Sequence, residues 1–426
     1  MSTLLYERSP GRFVASRLAS AFGSGRGAGV GPLRLVDEDG PALPGPGWHR
    51  VTPLLSGICG SDLSTIDGRS SRYFEDLVSF PFVPGHEVVG RVPDGAEGAD
   101  GAVLEPGTRV VLEPVLGCQA RRISPPCPAC AAGRIGDCQR VSFGHLRPGL
   151  QTGFCADTGG GWSRAGLVAH TSQLHRVPER LSDADAVTVE PVACAVHGAL
   201  AAEVRDGEVV AVLGAGTVGL LVTTALSQLA RMGLQPAPAV LLVGARYDHQ
   251  RQLARELGAT EALPADRLAR AVRRRSGSLA VGGPSGDAHR LSGGADVVID
   301  CVGSGDSIAQ ALDIVRPRGR VVLVGMPGRT TLDLAGLWHR EVALIGAYAY
   351  GTERPPLTGT PVRTFELAFA VAEAAGTGRL VSATYPLERF EEALAHAGAA
   401  GRRGAVKVAF DLGAEPPRPA RKETRP

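Results

Sequence analysis

The chain has 426 residues, enough for two or three domains, with 44% hydrophobic and only 5% aromatic residues. Its 45 basic and 43 acidic residues leave a formal net charge of +2, which makes no electrostatic case for nucleic acid or an anionic membrane surface. The opening MSTLLYERSPGRF lacks an apolar run behind a basic start and does not read as a signal peptide, so the expectation is a cytoplasmic protein whose thiols stay reduced.

Taken in chain order, Ala21–Gly31 is glycine-rich and reads as unstructured. From about Pro32 to Arg180, short β-like runs such as RVTPLLSG, FVPGHEVVGRV and TRVVLEP are broken by Gly and Pro, the texture of a strand-rich, loop-rich domain. Within it lie GICGSDLSTIDG, with Cys59 and Ser61, and PGHEVVG, with His86 and Glu87. GCQARRISPPCPACAAGRIGDC, from Gly117 to Cys138, then holds four of the chain's eight cysteines: Cys118, Cys127, Cys130 and Cys138. Disulfides, redox catalysis and a metal compete to explain them. A reducing compartment disfavours the first, and CPAC lacks the strand–helix context of a redox pair. VTVEPVACAVHG follows with Glu190 and Cys194. Singly, Cys59 reads as a small buried residue, His86 as a turn histidine and Glu190 as a helix-start carboxylate; nothing in periodicity makes them converge.

The texture changes after Ala184. EVVAVLG, AVLLVG, ADVVIDCVG, GRVVLVG and VALIGAY alternate with helical stretches, which implies a parallel sheet with helices on both faces. Val209–Ala230 is 22 residues without a charge, long enough to cross a bilayer, but its glycines and the lack of basic or aromatic flanks make it a buried strand running into a buried helix. The junction carries Gly214-x-Gly216-x-x-Gly219, with Thr217 and Val218 opening the helix. The first Gly permits a tight turn, the second a close approach of backbone to pyrophosphate, the third close helix–strand packing, and the helix N-terminus favours phosphate. The next strand ends LLVGARYDH. No carboxylate lies between Glu208 and Asp248, and Arg246 follows the strand-end position, which predicts NADP rather than NAD. Asp248 reads as a helix N-cap and Gly258 as that helix's stop. Leu268–Gly294 reads as irregular, with RLARAVRRR a solvated helix face rather than a nucleic-acid patch. Trp48 and Trp338, beside strands, read as core; His145, His170, His175 and His197 lack ligand spacing; Tyr348 and Tyr350 are candidates for a substrate pocket. The segment 413–426 is Pro-rich and charged and reads as a disordered tail.

Together, GICGSDL, PGHEVVG, the four-cysteine lobe, VEPVACAVHG and LGAGTVGLL, in that order, resemble the zinc-containing medium-chain dehydrogenase/reductase family, which includes alcohol, sorbitol and threonine dehydrogenases. The resemblance spans about Pro32–Leu412. It implies an α/β protein with a strand-rich GroES-like catalytic domain (32–184 and 348–412, with the lobe at 117–138) and a doubly wound Rossmann domain (185–347) for NAD(P). It implies a catalytic zinc held by Cys59, His86 and Glu190, with Glu87 as near neighbour or occasional ligand and Cys194 as packing, with a minor role as alternative ligand. The EP after the helix start matches the sorbitol dehydrogenase branch. A structural zinc is implied in the lobe. The family's usual first cysteine slot holds Ser124 here, and Cys118, nine residues before Cys127, takes its place through a longer connection that costs little loop entropy. Ser61 would take the substrate proton first. The family's relay histidine is replaced by Ser64, so the proton route must differ.

The expected activity is zinc-dependent hydride transfer between an alcohol or polyol, or its carbonyl, and a nicotinamide cofactor, NADP preferred, with two zincs per chain. The alternative from another class is a non-catalytic nucleotide-sensing or zinc-stabilised binding protein. The expected partners are a small-molecule substrate and further copies of the chain in a homodimer or homotetramer, with no nucleic acid and no membrane.

Overall fold

The computed structural model describes residues 1–282 and 290–413. Six parallel strands form one sheet, in the spatial order Glu261–Pro264, Val240–Ala245, Val209–Leu213, Ala295–Asp300, Val315–Leu323, Ala343–Gly346. Their side chains alternate between two cores. Val210 and Val212 pack with the helices Val189–Ala201 and Thr217–Arg231 on one face. Ala211 and Leu213 pack with Leu268, Val272 and Ile308 on the other. Burial on both faces is why these strands read as continuous apolar runs. The order reverses between Val209–Leu213 and Ala295–Asp300, the topological switch point where doubly wound sheets bind ligands.

A second, mostly antiparallel sheet of seven strands runs Val381–Pro386, Lys407–Asp411, Trp48–Gly57, Val88–Arg91, Arg109–Leu112, Leu174–Arg176, with Leu167–His170 on the first half of Trp48–Gly57. The late strand Lys407–Asp411 pairs with Trp48–Gly57 in the register Ala409↔Gly57 and Phe410↔Ser56. The chain therefore returns from the parallel sheet to complete the sheet it began.

The start of the chain departs from the expectation of an unstructured end. Ser2–Tyr6 pairs antiparallel with Leu33–Asp37, and Pro10–Ser20 is helical. Leu4 is fully buried and Tyr6 nearly so, in a core with Phe82, Trp162, Leu387 and Phe410. The helix gave no amphipathic signal because Ser16 is its buried residue, while Val14, Leu18 and Phe22 beyond its end face outward. The glycines after it serve close approach: a Cβ at Gly25 would sit 2.2 Å from the Leu394 carbonyl oxygen.

Other local readings are tested too. Within the stretch read as irregular, Leu268–Ser276 is a helix, as RLARAVRRR suggested, with Leu268, Ala271 and Val272 inward, and Arg274 and Arg275 bind Glu261. Tyr247, not Asp248, is the N-cap of Asp248–Glu256, and Asp248 pairs instead with Arg251. Trp48 is buried, but Trp338 is 81% exposed on a short helix outside the sheet. The expected tail lies, beyond Gly413, outside the described residues.

Leu4 gives a direct check on the start of the chain. Leu4→Ala should cost about 2–5 kcal/mol of stability, seen as a lower midpoint in urea unfolding. A loose terminal segment would leave the midpoint unchanged.

Candidate active site and cofactor cleft

Cys59 lies at the N-cap of the seven-residue helix Gly60–Ile66, with extended backbone angles. Its N–H donates to Asp62 Oδ2 at 2.9 Å, so the acid three residues on fixes the turn that presents the thiol. The other oxygen of the buried Asp62 lies 3.5 Å from His86 Nδ1. Asp62 thus fixes Cys59 and sets a carboxylate oxygen beside His86, a role the sequence reading missed although the capping pattern was visible.

His86 and Glu87 directly precede the strand Val88–Arg91 and are buried. Glu87 forms an ion pair with the buried Lys407, whose Nζ also donates to the Ile58 carbonyl at 3.2 Å. Gly57 makes room for this, since a Cβ there would lie 1.9 Å from Glu87 Oε2. Lys407 is the second omission. Its signal was a single Lys inside the apolar run AVKVAF, in a chain with only one other lysine, Lys422.

One ligand atom each from Cys59, His86 and Glu87 come within 4.8 Å of one another. Glu190 stands behind this group rather than in it. Its Oε1 accepts from Tyr350 OH at 3.1 Å and from Cys194 Sγ at 3.7 Å. Burial pushes the Glu190 carboxyl up to about 7, with the His86 charge pulling down and Glu87 pushing up. Burial, then the Glu190 and Cys59 charges, hold the Cys194 thiol well above its usual range. For His86, burial works toward the neutral ring, but Asp62 and Cys59 outweigh it and the net shift is upward. A thiol, an imidazole and a buried carboxylate in one close group, with the Glu190 carboxylate beside it, form the donor set of a borderline-soft divalent cation, and His86 Nδ1 and Asp62 Oδ1 make no hydrogen bond there.

The four lobe cysteines also converge. Cys118, Cys127, Cys130 and Cys138 place their Sγ atoms within 4.8 Å of one another, and none is in a disulfide. Burial raises the Cys127 thiol, but N–H groups of Cys130 and Gln139 outweigh this and bring it down to about 6, while Cys130 and Cys138 are pushed up by burial and their neighbours. Four clustered thiols cannot all ionise alone; a cation removes that conflict. The long connection before Cys127 is not slack. Arg121 within it is fully buried, and its guanidinium donates to the carbonyls of Leu116, Phe143, Leu146, Arg147 and Gly149.

In the glycine-rich loop, Gly214 has φ +88°, and a Cβ at Gly219 would lie 1.9 Å from the Gly214 carbonyl oxygen. A Cβ at Gly216 would meet no atom within 4 Å, so the protein's own packing does not require glycine there, as expected if a ligand does. Thr217 and Val218 open the helix, and Thr217 Oγ1 donates to the Val406 carbonyl at 3.2 Å. Arg246 is exposed just past the strand end. Arg251, not singled out in the sequence, donates to the Ala245 and Arg246 carbonyls and orders this corner. Of the remaining histidines, His175 is bound to Glu113 at 2.6 Å and His197 to Glu353 at 2.8 Å.

A doubly wound dinucleotide fold joined to a strand-rich domain bearing two thiol-containing metal-type clusters defines a metal-dependent dehydrogenase class. Comparison with known proteins agrees. Residues 45–179 match the alcohol dehydrogenase GroES-like domain and residues 222–358 the zinc-binding dehydrogenase domain. A 2-dehydro-3-deoxy-L-galactonate 5-dehydrogenase of Pseudoalteromonas atlantica is 29% identical over 74% of this chain and 80% of its own length. A sorbitol dehydrogenase of Arabidopsis thaliana is 29% identical over 74% of this chain and 77% of its own. A solved zinc-family structure from Sinorhizobium meliloti, bound to NADP, is 26% identical with a TM-score of 0.63, covering 89% of this chain and 95% of that one. The chain belongs to the zinc-containing medium-chain dehydrogenase/reductase family. It is an oxidoreductase that works with zinc and a nicotinamide cofactor on a small-molecule alcohol or its carbonyl. No helix among the described residues is long and apolar enough to cross a membrane.

Arg121→Ala should loosen the lobe selectively. Removing the guanidinium strands five carbonyls, at a cost of about 3–5 kcal/mol. Limited proteolysis should then cut between residues 117 and 149 before the rest of the chain; an unchanged cleavage pattern would show that Arg121 does not hold the lobe.

Proposed function

We propose that the protein interconverts a secondary alcohol of a polyol or sugar acid and its ketone, with NADP(H) as the preferred hydride carrier and two zincs per chain. The grouping of Cys59, His86 and Glu87, with Glu190 behind it, carries the reading. The relatives' names support the substrate class, since they include sorbitol, L-idonate and sugar-acid dehydrogenases and D-xylulose reductases. One zinc would be held by Cys59, His86 and a carboxylate from Glu190 or Glu87, and the other by Cys118, Cys127, Cys130 and Cys138. The first would supply Lewis-acid polarisation of the substrate oxygen, and the second stability.

The chain's own residues do the rest. Asp62 holds Cys59 in place and sets its other carboxylate oxygen beside His86. Lys407 pairs with Glu87 within the buried site and anchors its carboxylate. Ser61, in the first turn beyond Cys59, would receive the substrate's proton, and with Ser64 in the usual histidine slot its onward route runs through hydroxyls or water. The turn at Gly214–Gly219 would hold the pyrophosphate, placing the nicotinamide end toward the junction of the two sheets. Arg246 would pair with a 2′-phosphate at a strand end that has no carboxylate to oppose it.

The same reading takes 32–184 and 348–412 as the catalytic domain and 185–347 as the cofactor domain, with the first 31 residues added to the catalytic part. The parallel sheet ends in Ala343–Gly346, whose outer edge has no partner strand among the described residues and whose Leu344 is 37% exposed. Pairing of that edge with a second copy supports a homodimer or homotetramer. All eight cysteines are free, in keeping with a reducing cytoplasm.

The decisive assay is absorbance at 340 nm over a panel of polyols, sugar acids and their ketones with NADP(H) and NAD(H). Cys59→Ala should abolish turnover and remove about one zinc per chain by elemental analysis, while the lobe zinc stays. Retained turnover would sink the assignment. Arg246→Ala should weaken NADPH binding about tenfold to a hundredfold with little effect on NADH, because a charge-assisted pair of roughly 1.5–3 kcal/mol is lost. Equal loss for both coenzymes would show that Arg246 does not read the 2′-phosphate.

A further inference from the structure

Tyr350 was read from the sequence only as a candidate for lining a substrate pocket. The structure gives its hydroxyl a more specific position. The side chain is 2% exposed, and the hydroxyl donates to Glu190 Oε1. Cys194, one turn along the helix from Glu190, points its thiol at the same oxygen. Two donors, one from a distant segment and one local, thus converge on a single carboxylate atom.

The tyrosine is not free to follow if the carboxylate moves. Its ring meets Phe365 edge-on at 4.9 Å, and Phe365 stacks on His175 at 4.8 Å. The next residue, Gly351, is tied through both backbone groups to Thr364: its N–H donates to Thr364 Oγ1 and its carbonyl accepts from the Thr364 N–H at 2.9 Å, which leaves the hydroxyl to donate to Glu353 at 2.8 Å. The other carboxylate of the site is held differently. Glu87 sits within reach of Cys59 and His86 and is anchored from the opposite side by Lys407. One site therefore has two carboxylates on two separate anchors, and only one of them is in the close group.

We infer that Tyr350 is a positioning residue that holds Glu190 in reserve behind the Cys59–His86–Glu87 group, keeping a coordination position open for the substrate oxygen. This rests on the zinc reading proposed above. Without the phenol, Glu190 is released to close on the metal and compete with the alcohol. The competition weakens substrate binding rather than the hydride step.

The test is Tyr350→Phe in the full chain, loaded with cadmium-113, whose resonance reports each metal site separately. The expected result is a shifted resonance for the mixed-ligand site and an unmoved one for the four-thiolate lobe. In the zinc enzyme, KM for the alcohol should rise about tenfold with kcat within about twofold, the effect of losing one charge-assisted hydrogen bond. Cys194→Ala, which removes the other donor to the same oxygen, should move the same resonance in the same direction by less, and carries the test if Tyr350→Phe does not fold. An unmoved mixed-ligand resonance with unchanged KM overturns the proposal. Shifts at both sites, or a fall in kcat alone, also overturn it by showing a general structural effect. A wild-type spectrum with only the four-thiolate resonance would overturn the zinc reading itself, and the proposal with it.

Discussion

The Lys407–Glu87 pair couples the two ends of the folded chain. Both side chains are almost wholly out of water, at 2% and 1% exposure. Either charge alone would be costly to bury, so the ion pair forms only if the strand Lys407–Asp411 has returned to its place beside Trp48–Gly57. The ammonium's second bond, to the Ile58 carbonyl, sits one residue before Cys59. The neighbouring Val406 carbonyl accepts from Thr217 in the first turn of the helix that follows the glycine-rich loop. A single strand end thereby fixes the metal-type cluster and the start of the cofactor-binding helix relative to each other. Hydride transfer demands that kind of fixed spacing between two sites on different sheets.

Charge balance explains the rest of the site. Around Cys59 and His86 the protein gathers Asp62, Glu87 and Glu190 but, among the described residues, one permanent cation, Lys407. The lobe gathers four thiols, and its one buried guanidinium, Arg121, spends its donors on carbonyls. Both clusters are short of positive charge by construction. In the first, Glu190 responds by rising toward neutrality; in the second, the thiols split, with Cys127 lowered and Cys130 and Cys138 raised. A divalent cation resolves both imbalances in the same way, by letting every donor ionise.

What could be read from the sequence followed the range of the interaction. The parallel strands were legible because burial on both faces writes an uninterrupted apolar run, and the glycine fingerprint because its steric demands are local: Gly219 excludes a Cβ through a carbonyl five residues away. The convergence of Cys59, His86 and Glu190 came from the order of motifs, not from any physical signal in the chain. Lys407 and Tyr350 act across 320 and 160 positions, on Glu87 and Glu190, and no spacing rule reaches that far. Arg121 sat in plain view in QARRIS, but a buried arginine looks like a surface one until its five carbonyl acceptors are in place. Trp338 failed in the other direction, because a large apolar residue is informative about burial only when its element is.

The start of the chain shows the same limit and bears on the site directly. The helix Gly60–Ile66 that carries Ser61 has seven residues, too few to be stable alone, and its last carbonyls need donors from elsewhere. They come from the first 25 residues: Tyr6 OH donates to the Thr65 carbonyl and Ser16 Oγ to the Ile66 carbonyl. The buried Asp67 carboxylate then accepts from Ser24 Oγ at 2.6 Å and from the Gly25 N–H at 3.0 Å. One end of this helix is set by Asp62 under Cys59, and the other by serines that in sequence look like the filler of a flexible terminus. Small hydroxyl side chains suit the task because they let a helix lie close enough to donate to backbone. The same smallness erases the hydrophobic periodicity by which a packed helix is usually recognised.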